Sequence, residues 1–444
     1  MKQNIQIEGE STNRHQTEEM HALANSGASP GFSVALLTGG SDRPYVYGLT
    51  DVLSSIGIAV DLIGSDELDG PDFRSKPRVT FLNLRGDQRP NADFIAKIYR
   101  ILAYYSRLIR YAATAKPRIF HILWNNKFEM FDRTLLTLYY KLLGKAVVLT
   151  VHNVNKLKRD SADTTLNRLT LRIQYRLADH VFVHTPKMKS ELVKEFGVPT
   201  ERITVIPFGI NNSVPDTNLT PKEAKKRLGI RENRKAILFF GRIKPYKGLE
   251  YLITAFQALA SRYDDYQLII TGQVEKGFES YWESIQREIQ DYVEAGQIIP
   301  RIEFIPDSEI EVYFKAADVL VLPYKDIFQS GVIFLGYNFG LPVIAADVGS
   351  LREEIIEGTT GFVFRPEDPT DLARALEQYF ESNLFVDLER QRREIRHFAT
   401  ERHSWEVVGK LTVNIYEKVL RSEFINASDA STVDRSDWSG RSRR

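Results

Sequence analysis

The chain contains no cysteine. That absence removes disulfides, cysteine-ligated zinc and thiol nucleophiles together, and it suits a reducing compartment. Neither sign of charge dominates. The 59 Lys and Arg against 58 Asp and Glu leave a net charge of +1, so no global drive toward nucleic acid is expected. No stretch approaches the roughly 20 apolar residues that a membrane span needs. The polar first 20 residues lack the apolar core of a signal peptide. No metal-ligand cluster is visible, and no metal or cofactor is expected. These absences point to a cytoplasmic protein.

What is present is globular. The 444 residues are 43% hydrophobic and 26% charged, enough for two or three domains with real cores. Residues 1–30 and 422–444 are polar and aperiodic and read as disordered. Between them short apolar runs alternate with helical patterns. Candidate strands in the first half are 33–37, 58–63, 79–83, 118–123, 146–151, 180–184 and 203–206. In the second half they are 236–240, 267–271, 302–305, 318–322, 342–346 and 362–364. Strands apolar on both faces belong to parallel sheets covered on both sides. The fold class is therefore α/β, with two Rossmann-like domains facing across a cleft. The domains span 31–210 and 236–403, a polar linker spans 211–235, and a helix over 404–421 crosses back to the first domain. In the linker, Thr220, Pro221 and Glu223 have the spacing of a capped helix start.

The most informative segment is the apolar run Ala236 to Phe240 followed by Gly241, Arg242, Lys247 and Gly248, and then by helical spacing from Leu249 to Leu259. A strand, a tight loop with two spaced cations and a helix start together suit a diphosphate. Further along come Thr271-Gly272, Ala316 to Pro323, Gln329-Ser330-Gly331-Val332, Gly340-Leu341-Pro342, Asp347-Val348-Gly349, Glu353 and Gly358 to Phe362. This ordered series, from about Ala236 to Val363, resembles the C-terminal domain of the retaining family-4 (group 1) glycosyltransferases, which have the GT-B fold. The first half resembles that family more loosely, at Gly39-Gly40, Thr150-Val151-His152-Asn153, Ala178-Asp179-His180-Val181 and Val205 to Ile210.

The resemblance implies a metal-independent enzyme moving a hexose-type sugar from a nucleotide-diphosphate donor to an acceptor hydroxyl with retention. Cell-envelope or exopolysaccharide synthesis is the natural process. The resemblance assigns Arg242 and Lys247 to the departing diphosphate. It assigns Gly39, Gly40, Gly241, Gln329, Ser330, Gly331, Val332 and Glu353 to donor binding, with base contacts near Phe304 to Asp307. The chain departs from the family at two glutamates, whose positions fall on Ile327 and Leu335. Other readings are a sugar-nucleotide epimerase, which the missing carboxylates disfavour, and a non-catalytic sugar-nucleotide-binding subunit.

On the acceptor side, His152 follows the apolar strand Ala146 to Val151 and should face the cleft. His121 is a second candidate catalytic histidine, and Trp124 a candidate sugar platform. Over 96–116, Arg100, Arg107, Arg110 and Lys116 interleave with Ile101, Tyr104, Tyr105 and Leu108. That pattern suits a helix that touches an anionic membrane and a lipid-linked or glycan acceptor, or a helix that simply covers the sheet.

Overall fold

The computed structural model describes residues 31–39, 42–88, 93–155, 157, 163–210 and 214–433, with backbone alone at 94 and 423–433. The first sheet comprises β1 (Ser33–Leu37), β2 (Ala59–Gly64), β3 (Val79–Asn83), β4 (Ile119–Ile122), β5 (Ala146–Val151), β6 (His180–Val183) and β7 (Ile203–Val205). All pairs are parallel, in the order β3-β2-β1-β4-β5-β6-β7. The second sheet comprises β8 (Lys235–Phe240), β9 (Tyr266–Thr271), β10 (Ile298–Arg301), β11 (Val319–Leu322), β12 (Val343–Ala346) and β13 (Gly361–Phe364). Its order is β10-β9-β8-β11-β12-β13, again parallel. The two Rossmann-like domains are thus as the sequence predicts. Each order reverses once, between β1 and β4 and between β8 and β11, and crevices open at such points beyond the strand C-termini.

The apolar runs become central strands because helices cover both faces. Every residue of β5 and β9 is buried. Helix Leu249–Ala260 buries Leu249, Leu252, Ile253, Phe256 and Leu259, the stripe expected of a helix lying on a sheet.

Three elements differ from the sequence reading. The strand expected at 302–305 is instead Ile298–Arg301. It contains Pro300, which a ladder tolerates only at an edge, and β10 is the edge of its sheet. The segment read as a linker is packed rather than free. Val214, Leu219, Ala224 and Ile230 join the second domain's core, and Lys225 Nζ makes a buried ion pair with Asp318 at 2.8 Å. Its helix, Pro221–Arg227, carries the full Thr220/Glu223 capping box. The last helix begins at Trp405, as expected, but runs to Val433.

That helix ties the chain's end to the first domain. Trp405 Nε1 donates to Ile210 O at 2.8 Å, and its ring occupies the space where a Cβ on Gly48 or Gly209 would lie. Tyr416 OH and His121 Nδ1 are 2.6 Å apart. The domains also touch directly. Ser350 Oγ donates to Thr185 Oγ1 at 2.9 Å, and Lys187 Nζ to Gly349 O at 2.9 Å.

The first domain buries His121, His180 and His184 and half-buries His152. Burial holds His121 down to about 3 and His180 and His184 to about 4, with His152 well below its ordinary value. The unfolded chain takes up these protons below about pH 6.5, whereas the folded chain does not. Stability is therefore complete above that pH and is lost as pH falls through it, by about 1.4 kcal/mol per histidine per pH unit at most. The unfolding temperature should drop clearly between pH 7.5 and pH 5.5. An unfolding temperature that is flat across that window would contradict the burial of these neutral rings.

Candidate active site

The second domain presents a cationic cradle where its strand order reverses. β8 is followed by Gly241, whose N–H donates to Thr271 O at 2.9 Å. Gly241 has φ of 112°, and a Cβ there would lie 2.6 Å from Lys247 Nζ. Glycine is therefore required both by the backbone and by the close approach of the lysine. Lys247 comes from the 3-10 turn Pro245–Lys247, and Gly248 then begins the following helix. The Lys247 side chain is buried, with 7% exposure, and makes no ion pair among the described residues. Its Nζ stands 5.5 Å from the ring centroid of Tyr324, just beyond β11. Tyr324 OH is 3.3 Å from Ser330 Oγ. Ser330 caps helix Gly331–Asn338 by accepting from Val332 N–H at 3.3 Å. Val332 Cγ2 lies 3.9 Å from the same Gly241 Cβ position. Folding thus gathers Gly241, Lys247, Ser330 and Val332 around one ammonium and one helix N-terminus. Burial, aided by Lys244 and Arg242, holds Lys247 down to about 8.

Arg242 is near this cradle but turned outward. Its side chain is 71% exposed and pairs with Glu275 at 2.8 Å, and Lys244 reaches the other oxygen of Glu275 at 3.4 Å. Glu275 was not identified from sequence. It follows β9, and an isolated bridge between Ile243 and Val274 brings the two loops together.

A cavity of about 440 Å³ opens between the domains, and Gln329, next to Ser330 of the cradle, lines it. Its first-domain wall is Trp124 and Asn125 after β4, and Thr150 to Val154 at the end of β5 and beyond it. Glu129, Arg133, Gln174 and Tyr175 close one side, and Ile327, Phe328 and Gln329 come from the second domain. Four buried polar atoms on this lining have no hydrogen-bond partner: His152 Nε2, Asn153 Oδ1, Arg133 Nε and Gln329 Oε1. Buried polar groups are nearly always satisfied, so four such atoms around one cavity mark a place for a polar ligand.

The hydrogen bonds fix the histidine tautomers. Ile206 O can only accept, so His184 Nδ1 carries the proton across their 3.2 Å contact. His184 is held neutral by burial, so its Nε2 is an acceptor, and His152 Nδ1 donates to it at 3.0 Å. His152, likewise held neutral by burial, is left with a bare lone pair on Nε2. Trp124 stacks flat on this ring, with centroids 4.2 Å apart and planes 4° apart. One face of the tryptophan is therefore taken up in holding the imidazole. His184 and Arg133 were not singled out from sequence, because neither lies in a motif and their partners are distant in the chain.

The remaining sequence candidates divide. Gly39 has φ of 60°, and a Cβ there would come within 2.7 Å of the carbonyl oxygens of Trp124 and Asn125, which places it at the cleft wall. Gly40 lies outside the described residues. His121 is withdrawn from the site. It is buried and does not line the cavity; Nδ1 meets Tyr416 OH and Nε2 meets Thr150 Oγ1 at 2.7 Å, so both ring nitrogens are engaged by protein groups. Glu353 is exposed on the turn Arg352–Glu354, and the carboxylate that approaches Gln329, at 3.5 Å from Nε2, belongs to its buried neighbour Glu354. Ile327 lines the cavity, and Leu335 is buried within helix Gly331–Asn338. Among the described residues no group of three or more His, Cys, Asp or Glu is gathered to hold a metal ion.

This geometry matches known proteins along most of the chain. The family model for glycosyl transferases group 1 matches residues 221–401, and that for Glycosyltransferase Family 4 matches residues 38–214. The D-inositol 3-phosphate glycosyltransferase of Paenarthrobacter aurescens is 29% identical over 292 residues, covering 63% of this chain and 69% of that protein. An uncharacterized glycosyltransferase of Methanocaldococcus jannaschii is 26% identical over 244 residues, and the match spans 53% of this chain and 59% of its own length. Among solved structures, sucrose-phosphate synthase from Thermosynechococcus elongatus superposes with a TM-score of 0.68 at 19% identity, over 88% of this chain and 100% of that one. HepE of Anabaena, in complex with UDP, gives 0.67 at 16% identity, over 87% and 100%. With two facing parallel sheets, a cleft between them and both family models in their expected order, the chain belongs to the group 1 glycosyltransferases of family 4 and has their GT-B architecture.

Proposed function

We propose that this enzyme transfers a sugar from a nucleoside-diphosphate sugar to an acceptor hydroxyl with retention at the anomeric carbon. The observation that carries this reading is the Lys247 ammonium, buried with no ion pair among the described residues, near the helix N-terminus at Ser330, whose preceding residue Gln329 lines a cleft with four unpartnered polar atoms. A diphosphate there gains a cation and the N–H groups of the Ser330 to Val332 turn. As the bond from the anomeric carbon to the diphosphate oxygen breaks, the electron pair stays on that oxygen, where Lys247 and a re-aimed Arg242 stabilise it. The acceptor hydroxyl attacks from the same face, and its proton passes to the departing phosphate. No carboxylate nucleophile is needed, in keeping with apolar Ile327 and Leu335. His152 Nε2 accepts a hydrogen bond from a sugar hydroxyl in the cavity. HepE has been solved with UDP and with UDP-glucose, which supports a nucleotide-sugar donor and puts the uridine series first.

The same reading includes a membrane-facing surface. Ile95, Tyr99, Leu102 and Ile109 are exposed along helix Phe94–Thr114, and Leu135, Leu138 and Leu142 are exposed on the neighbouring segment. Residues 94–118 carry Lys97, Arg100, Arg107, Arg110, Lys116 and Arg118 and no acid. An apolar stripe with a one-signed fringe is complementary to an anionic lipid surface. No helix among the described residues is long and apolar enough to cross a membrane, so contact would be peripheral.

Three measurements check this. In transfer assays over a nucleotide-sugar panel, Lys247→Ala should reduce kcat/KM by about 100-fold or more and Arg242→Ala by a smaller factor. Survival of full activity in both would remove the diphosphate assignment. His184→Ala should release the His152 tautomer, seen as loss of a single Nδ1–H form in 15N-detected NMR. A His152 ring protonated on Nε2 in the unaltered protein would contradict the proposed acceptor role. Vesicles of phosphatidylglycerol and phosphatidylcholine should float the protein, whereas Tyr99→Glu/Leu102→Glu should not float. Equal flotation of both would exclude that face.

A further inference from the structure

A second pocket, of about 320 Å³, adjoins the transfer site and is strongly cationic. Arg85 enters from the loop after β3, Lys97 and Arg100 from helix Phe94–Thr114, Lys127 from the loop after β4, and Lys276 from the loop after β9 in the other domain. The one acid on its lining, Asp87, is paired with Arg100 at 3.3 Å. Arg85, Lys97, Lys127 and Lys276 make no ion pair among the described residues. Four unpaired cations in one cavity repel one another, in a chain whose net charge is only +1. The walls are built rather than incidental. The Arg85 guanidinium donates to Gly39 O and lies over the Tyr104 ring, 5.8 Å from its centroid. Tyr104 OH donates to Asn126 Oδ1 at 2.6 Å. One loop serves both cavities: Trp124 and Asn125 line the transfer site, and Asn126 and Lys127 line this pocket.

We propose that this pocket holds a phosphate group carried by the acceptor, so that the acceptor is a phosphorylated molecule rather than a neutral sugar. The inference rests on the transferase reading above and adds the acceptor's class to it. Phosphate suits the pocket better than carboxylate, because it offers oxygens in three directions to cations that converge from four chain segments. The position, one loop residue beyond the cavity wall, puts the phosphate on the acceptor side of the reacting hydroxyl. Lys276 belongs to the donor domain while the other cations belong to the acceptor domain. A phosphate held by both draws the domains together and ties acceptor binding to closure of the cleft.

The test is calorimetric titration of the full chain with inorganic phosphate and with glucose 6-phosphate, using glucose as the neutral control. Lys97→Ala/Lys127→Ala alters two side chains that support no core contact, and Lys276→Ala alters an exposed loop. Each variant should weaken phosphate and glucose 6-phosphate binding about tenfold or more, while Lys222→Ala, which alters an exposed lysine of the second domain, changes it less than twofold. Unchanged binding in the pocket variants, or an equal loss in Lys222→Ala, overturns the proposal. Nucleoside-diphosphate binding, measured in parallel, judges the donor reading separately: if Lys247→Ala leaves it intact, that reading fails and the pocket result stands on its own. Vesicles of phosphatidylglycerol and phosphatidylcholine separate the sources. Phosphate that displaces the protein from vesicles identifies a lipid-borne group, and weakened titration with intact flotation identifies a soluble one; both support the pocket. Lost flotation with an unchanged titration assigns the cations to the lipid surface and overturns it.

Discussion

A buried ammonium that pairs with no carboxylate among the described residues is the constraint on which the second domain's site depends. Holding Lys247 at about 8 represents about 3 kcal/mol of unfavourable burial and repulsion by Lys244 and Arg242 together. A structure tolerates such a cost where a ligand relieves it. Everything adjacent is arranged around that cation. Gly241 lacks the Cβ that would strike Nζ, Tyr324 turns its ring toward the charge, and Ser330 starts a helix whose free N–H groups add positive potential. The carboxylate of Glu275 holds Arg242 and Lys244 outside. On the proposed reading, donor binding would exchange Glu275 for diphosphate oxygens as the partner of Arg242.

The first domain uses the opposite device. It buries neutral imidazoles and orients them by a directed chain of hydrogen bonds from Ile206 O through His184 to His152. The last acceptor in that chain is a bare lone pair in the cleft. In the proposed reading, a cation in the second domain and fixed neutral acceptors in the first favour a sugar nucleotide with its phosphates toward the second domain and its hydroxyls toward the first. The C-terminal helix keeps these walls in register, because Trp405 and Tyr416 return from the second domain to pack on the first.

Much of this was legible in the sequence. Fully buried parallel strands read as unbroken apolar runs, so twelve of the thirteen strands lie where expected, and the Gly241/Lys247 spacing reports a strand, turn and helix start directly. β10 was displaced in the reading because Pro300 looks like a strand breaker until its edge position is known. The 211–235 segment looked like a linker because its buried residues, Val214, Leu219, Ala224 and Ile230, are isolated among polar ones. Individual side-chain destinations were least legible. Arg242 meets Glu275 33 positions downstream, and His152 meets His184 32 positions downstream. Such pairs depend on strand order, which no local pattern encodes. His121 misled because alternation in a strand tells which face a residue takes, whereas Tyr416, 295 positions away, decides what it meets there.

The most direct measurement is the pH dependence of nucleoside-diphosphate affinity, using whichever of UDP, ADP or GDP raises the protein's unfolding temperature most. A bound diphosphate favours the charged form of Lys247, so binding above pH 8 takes up a proton. Affinity should fall progressively between pH 8 and pH 9.5 in the unaltered protein, and should be weaker and nearly flat in Lys247→Met. An affinity that is independent of pH in the unaltered protein, or the same in both, would contradict the assignment of Lys247 to the diphosphate.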